Sequence, residues 1–289
     1  MTLDGLREQI AQRVRSGVVG RPDEASVRRA ELFEAPGERW FGDDAVIRRV
    51  HTDSAMFVGG MRALLLQSLH PLAMAGVAEH SDYRHDPWGR LQRTADFLAA
   101  TTFGPESEAE RAVARVRAVH EHVQGVAADG RPYRANDPHL LRWVHLAELE
   151  SFLVAYRRYG AEPMSARDAD AYVADMARVA SELGVPAPPR SVTGLRDQLR
   201  LYRGELRGTP EARQAARYLL LQPPMHPAAR APYAVLSAAA VSLLPRWARR
   251  PLRLPWLPVF EAVAVRPAGD ALTRTLRWAL AEPPAPAPS

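Results

Sequence analysis

Apolar residues recur along this chain at spacings of three and four, and no segment sustains the alternation of a half-buried strand. The pattern predicts helices over roughly 4–17, 24–33, 43–50, 54–69, 71–80, 88–102, 106–127, 137–159, 166–183, 192–206, 210–221, 228–243 and 268–281. Start and stop signals support several of them. Asp137-Pro138 offers an N-cap and a first-turn Pro ahead of a long apolar-periodic run. Ser165 and Asp168 form a capping-box pattern, and Gly184-Val185-Pro186 closes the helix they open. The tail over 282–289 is Pro/Ala-rich and is expected to be an extended end. One all-α domain over 1–281 is the expected fold, with no internal repeat.

Composition narrows the chemistry more than the fold. The 289 residues contain no Cys, so thiolate metal sites, iron–sulfur clusters, disulfides and thiol nucleophiles are excluded. All 38 basic residues are Arg against 33 acidic ones, a net charge of +5 spread along the chain rather than gathered in a binding tail. No zinc-finger spacing or aromatic-basic strand accompanies that charge, so no nucleic-acid partner is expected. The first residues lack an apolar signal region, which makes the cytoplasm the expected location. The longest apolar run, 231–245, is too short to span a bilayer and is expected to be a buried helix followed by a Pro-rich loop. The adjoining mixture of Arg, Trp and Leu over 246–258 is also compatible with a membrane surface.

Six of the nine His lie between Phe41 and Gly125. Val113, Val116, His120 and Val123 share one helical face, so His120 points inward from an apolar stripe. His122, about 200° further round, faces solvent or a rim. An inward imidazole needs a hydrogen-bond partner or a metal, haem iron included. Arg90, Thr94 and Phe97 lie at helical spacing with Arg93 one step round, which gathers two guanidinium groups and a hydroxyl. Such a group suits propionates, phosphates or a polar oxygen ligand, and equally a solvated helix surface. His145 shares a face with Leu141, Glu148 and Phe152, which points to a buried His–Glu pair. His51, His85, His139 and His226 lie near turns or charges and are expected to be exposed.

Across roughly 40–160 a series of short motifs resembles the rubber-oxygenase catalytic-domain family, which includes the latex-clearing proteins and the mycophenolic-acid prenyl-chain oxygenases. They are FVGGMRALLLQSLHPLAMAGVAEHSDYRHDPWGRLQRTADFLAATTFG, RVRAVHEHVQG and DPHLLRWVHLAELES. The resemblance implies a globin-reminiscent helical domain with a central pocket for haem b, its iron held by one His. The Arg-x-x-His motif maps onto Arg117 and His120, and the Arg-x-x-Lys-Thr motif onto Arg90, Arg93 and Thr94. Arg93 stands where the latex-clearing proteins have Lys, and Gln124 where they have an Arg four residues beyond the ligand. The implied function is a haem-dependent oxygenase that brings dioxygen to a hydrophobic small molecule, with cleavage of a C=C bond as one outcome. In that reading His120 ligates iron, Arg90 and Arg117 pair with propionates or support the ligand, and Arg93 and Thr94 act on the open side. His70-Pro71 and His80-Ser81 also match family signatures, each suited to a pocket or to capping. Two alternatives use the same residues differently: a haem-binding sensor or carrier without turnover, or a non-haem site built from His70, His80, Asp86 and Glu148. The oligomeric state is not encoded in any motif.

Overall fold

The computed structural model describes residues 32–81, 87–222 and 225–281, which are predominantly helical. The expected helix over 4–17 and the tail over 282–289 lie outside them, and the expected helix over 24–33 enters them only at 32–34, which are helical.

Two helices make the centre. Helix α1 (Val46–Thr52) leads into α2 (Ala55–Gln67), which packs along α6 (Pro138–Tyr159). Close approach there depends on Gly59: a Cβ at that position would come within 2.6 Å of the Phe152 ring and 3.2 Å of its backbone. Helix α3 (Pro71–His80) follows, and α4 (Pro87–Phe103) then turns through Gly104-Pro105 into α5 (Glu106–His122), the two packed as a hairpin. Helix α7 (Ala166–Glu182) covers α1, and α8 (Val192–Leu201) lies against α6 and α7. Helix α9 (Pro210–Leu221), α10 (Arg230–Leu243) and α11 (Arg246–Leu252) close the far side. The main core joins Trp143, Leu146, Leu149 and Phe152 of α6 to Leu65, Leu66, Tyr172 and Leu195.

Local signals account for most boundaries. Asp137 accepts from the His139 amide at the start of α6, the Ser165–Asp168 capping box forms, and Gly184 adopts φ +94° just past α7. Other expectations need correction. The helix over 106–127 stops at His122, and Gln124–Val126 (β1) pairs antiparallel with Pro132–Arg134 (β2). Three-residue strands are too short to display alternation, and the reversal is made by Gly130 at φ +84°. The helix over 192–206 ends at Leu201 and finishes as a 3₁₀ turn, Tyr202–Gly204.

The first half of the segment expected to be a Pro-rich loop is helical (α11, 246–252), and the loop is confined to 253–257. Arg249 of α11 is buried, and its guanidinium donates to the carbonyls of Ser242, Leu244 and Pro255 and to the carboxylate of Glu261. One side chain thus organises the whole segment. Helical geometry resumes at Pro258–Phe260, passes through a π turn at Glu261–Val265 and continues as α12 (Arg266–Leu280). Pro267, which has no N–H to give, sits where the π turn meets α12. Two Arg–carboxylate forks hold α12 to the body: Arg277 with Asp53, at 2.9 and 3.0 Å, and Arg158 with Asp270, both contacts at 2.8 Å. Trp256, Leu257, Val259 and Phe260 remain exposed in the Arg- and Trp-rich segment. No helix among the described residues is long and apolar enough to cross a membrane.

Candidate functional site

His120 occupies the last turn of α5, and the Val123 amide donates to its carbonyl at 3.3 Å. Ala109, Ala112 and Val113 are buried at the start of the helix, whereas Val116 and His120 are half-buried and Arg117 is exposed. The apolar stripe read from the sequence therefore holds for half the helix and opens toward its end. Burial pulls the His120 imidazole below its ordinary pKa, and it makes no hydrogen bond to any described residue. At neutral pH it is an uncharged ring with a lone pair to give.

The α4–α5 hairpin brings the other marked residues to the same end. With ~1.5 Å of rise per residue, Arg90 and His120 stand at similar distances from the turn, and Arg93 and Thr94 lie near the level of Arg117. Arg93 and Thr94 are exposed; the Arg90 side chain is outside the described residues. The chain leaving His120 is anchored by the β-hairpin. His80 at the end of α3 bonds through Nε2 to the Gln124 carbonyl at 3.1 Å, and the Tyr133 hydroxyl donates to Glu79. Burial pushes the Tyr133 phenol up to about 12. Gly125 makes room for this contact, since a Cβ would lie 2.6 Å from the Tyr133 hydroxyl.

A second polar group lies inside. His51, expected to be exposed, reaches Thr102 Oγ1 through Nδ1 at 2.8 Å and the Tyr172 hydroxyl through Nε2 at 3.2 Å. Burial drives its pKa down to about 3. His145 is buried as expected, with Nε2 unpaired and its pKa lowered to about 4 by burial. Glu148 shares its face, and burial raises that carboxyl to about 7. No hydrogen bond joins the two among the described residues, so the expected His–Glu pair is two neighbouring groups that burial pushes toward their uncharged forms.

The third group was not anticipated. His70, the N-cap residue of α3, and His139, in the first turn of α6, both meet Oε2 of Glu205, at 3.3 and 2.8 Å. Burial lowers the His70 pKa against the pull of Glu205. Burial tends to raise Glu205, but the hydrogen bonds from His139 and His70 outweigh it and hold the carboxyl below its ordinary value. A His beside Pro at two helix starts was the available signal; nothing marked Glu205. The proposed set of His70, His80, Asp86 and Glu148 does not assemble among the described residues: His70 joins His139 and Glu205, His80 bonds Gln124, and Asp86 lies outside the description. His85 also lies outside it, while His122, His139 and His226 are exposed.

Comparison with known proteins places the chain in a family. The family described as "ER-bound oxygenase mpaB/B'/Rubber oxygenase, catalytic domain" matches residues 48–278, which span nearly all of the described fold. The chain belongs to this oxygenase family. Two curated relatives, the uncharacterized proteins Mb2261 of Mycobacterium bovis and Rv2237 of Mycobacterium tuberculosis, are each 33% identical over 104 residues. That segment covers 36% of this chain and 40% of each relative. No solved structure matches the chain significantly. Membership of this family fits an enzyme of the oxygenase class on a predominantly helical fold.

Proposed function

We propose that the chain is a haem-b-dependent oxygenase with His120 as its iron ligand, acting with dioxygen on a hydrophobic small molecule by cleavage of a C=C bond. The observation that carries this reading is the state of the His120 imidazole, which burial holds toward its neutral form, half-buried and without a hydrogen bond among the described residues, inside an oxygenase-family domain. A ligating imidazole needs a neutral ring with one nitrogen lone pair free.

Arginines near His120 in chain position suit an anionic macrocycle. Arg117 precedes His120 by one turn of α5, and Arg90 and Arg93 lie in the first turns of α4, at a similar distance from the α4–α5 turn. When bound, haem would supply dioxygen activation, for which the protein would contribute a ligand and electrostatics. His120 would hold the group, and Arg90 and Arg117 would pair with its carboxylates. The Thr94 hydroxyl would offer a hydrogen bond on the open side, and the Arg93 guanidinium a fixed positive charge there. Arg93 does not ligate, since a guanidinium keeps its proton throughout the working pH range.

Oxygen uptake tests this reading. Haem-loaded protein is mixed with long-chain polyenes and prenylated phenols and followed with an oxygen electrode, with carbonyl products sought by mass spectrometry. Substrate-dependent uptake that is lost in His120→Ala supports it. Haem-loaded protein that binds dioxygen but consumes none with any substrate refutes catalysis and leaves a carrier.

A further inference from the structure

The cluster of His70, His139 and Glu205 takes no part in the reading above. Its three residues come from separate places: the cap of α3, the first turn of α6 and the segment after the 3₁₀ turn Tyr202–Gly204. One ligand atom from each lies within 4.8 Å of the others. His70 is buried at 1% exposure, whereas the side chains of His139 and Glu205 are 47% and 40% exposed. The cluster thus has a closed inner wall and an open outer side.

We propose that His70, His139 and Glu205 form a binding site for a divalent transition-metal ion of the zinc class, with water in the remaining position. Two imidazoles and one carboxylate are a donor set suited to zinc and its first-row neighbours. Around a tetrahedral ion with bonds of about 2.0–2.1 Å, donor atoms lie about 3.3 Å apart. The His70–Glu205 separation of 3.3 Å already meets that spacing, and the His139–Glu205 separation of 2.8 Å must widen by about half an ångström.

The surroundings hold the donors in place. The His139 ring stacks on Tyr202 with centroids 4.5 Å apart, and the Tyr202 hydroxyl donates to the His139 carbonyl at 2.9 Å. Trp143 backs both groups, its ring 6.2 Å from His70 and 5.3 Å from Tyr202. Without metal, the His70 Nε2–H faces Glu205, and the buried Nδ1 has no partner. Binding moves that proton to Nδ1 and frees the Nε2 lone pair, with no net proton released by this ring. The unpaired Nδ1–H weakens binding, so affinity falls in the micromolar range, far from that of a closed structural zinc site.

The test uses the full chain stripped with chelator, titrated with zinc chloride by calorimetry and with cobalt chloride by visible absorption. One ion per chain and cobalt bands of low coordination number are expected. His139→Ala and Glu205→Gln, both on exposed side chains, weaken binding at least about tenfold. His122→Ala, an exposed His elsewhere, leaves it unchanged. Absence of stoichiometric binding overturns the site, as does binding that survives both substitutions. Haem content read at the Soret band is independent of these variants, so failure here leaves the assignment of His120 untouched, and the converse holds.

Discussion

His145 and Glu148 stand one turn apart on the same face of α6, and neither side chain makes a hydrogen bond to any described residue. Burial pushes both toward their uncharged forms. The fold therefore carries, beside its central helix pair, ionisable groups that it does not satisfy.

Stability responds to pH through these groups in two opposite directions. Glu148 titrates near 7 when folded and near 4.5 otherwise, so the folded chain binds the extra proton between those values. Its contribution is present at low pH and is lost as pH rises through that window. Glu148→Gln should gain on the order of 2 kcal/mol over wild type at pH 8 and little at pH 5. Urea denaturation at both values checks this; an equal gain at both pH values would mean that the carboxyl is ionised in the fold.

The buried imidazoles have the reverse sign. His51 and His145 titrate near 3 and 4 when folded, against 6.5 in the free side chain, so their contribution is present above 6.5 and fades as pH falls. His145→Gln should make the acid arm of a stability–pH curve shallower between 6 and 4. His51→Ala should cost about 2–4 kcal/mol at pH 7, because it also strands Thr102 and Tyr172.

Gly59 and Gly60 are adjacent in α2 but differ in what a methyl group would meet. A Cβ at Gly59 would strike Phe152, while at Gly60 nothing lies within 4 Å. Gly59→Ala should destabilise by about 1–3 kcal/mol, and Gly60→Ala should stabilise by about 0.5–1 kcal/mol through helix propensity. Thermal melts of the two variants separate packing from propensity.

Arg249 and Glu261 form a buried ion pair that also closes three carbonyls. Arg249→Met leaves the carboxylate buried and uncompensated and should cost about 3–5 kcal/mol. The double variant Arg249→Met/Glu261→Leu should recover part of that loss, with the stranded carbonyls setting the remainder. Chemical denaturation of the single and double variants tests the pair.

Helix positions and the first half of the inward face of α5 were legible because they depend on spacings of three and four and on caps one turn away. Ala109, Ala112 and Val113 are buried there, while Val116 and His120, on the same stripe, are half-buried because the helix end meets fewer neighbours. What failed depends on distant partners. His51 looks like a turn residue until Thr102 and Tyr172, 51 and 121 positions on, enclose it. Glu205 meets His139 and His70 across 66 and 135 positions, a distance over which no local pattern operates. The helix at 246–252 was masked by its Pro residues and is held by what Arg249 reaches in space.

The central claim is that His120 ligates haem iron, and the most direct measurement is a visible spectrum with a pyridine haemochrome assay on wild type and His120→Ala, both produced with a haem supply. The account predicts a Soret band and a b-type haemochrome in wild type, with both lost or reduced to nonspecific levels in the variant. A colourless wild-type protein after reconstitution, or a variant with full haem and an unchanged axial-ligand spectrum, would contradict it.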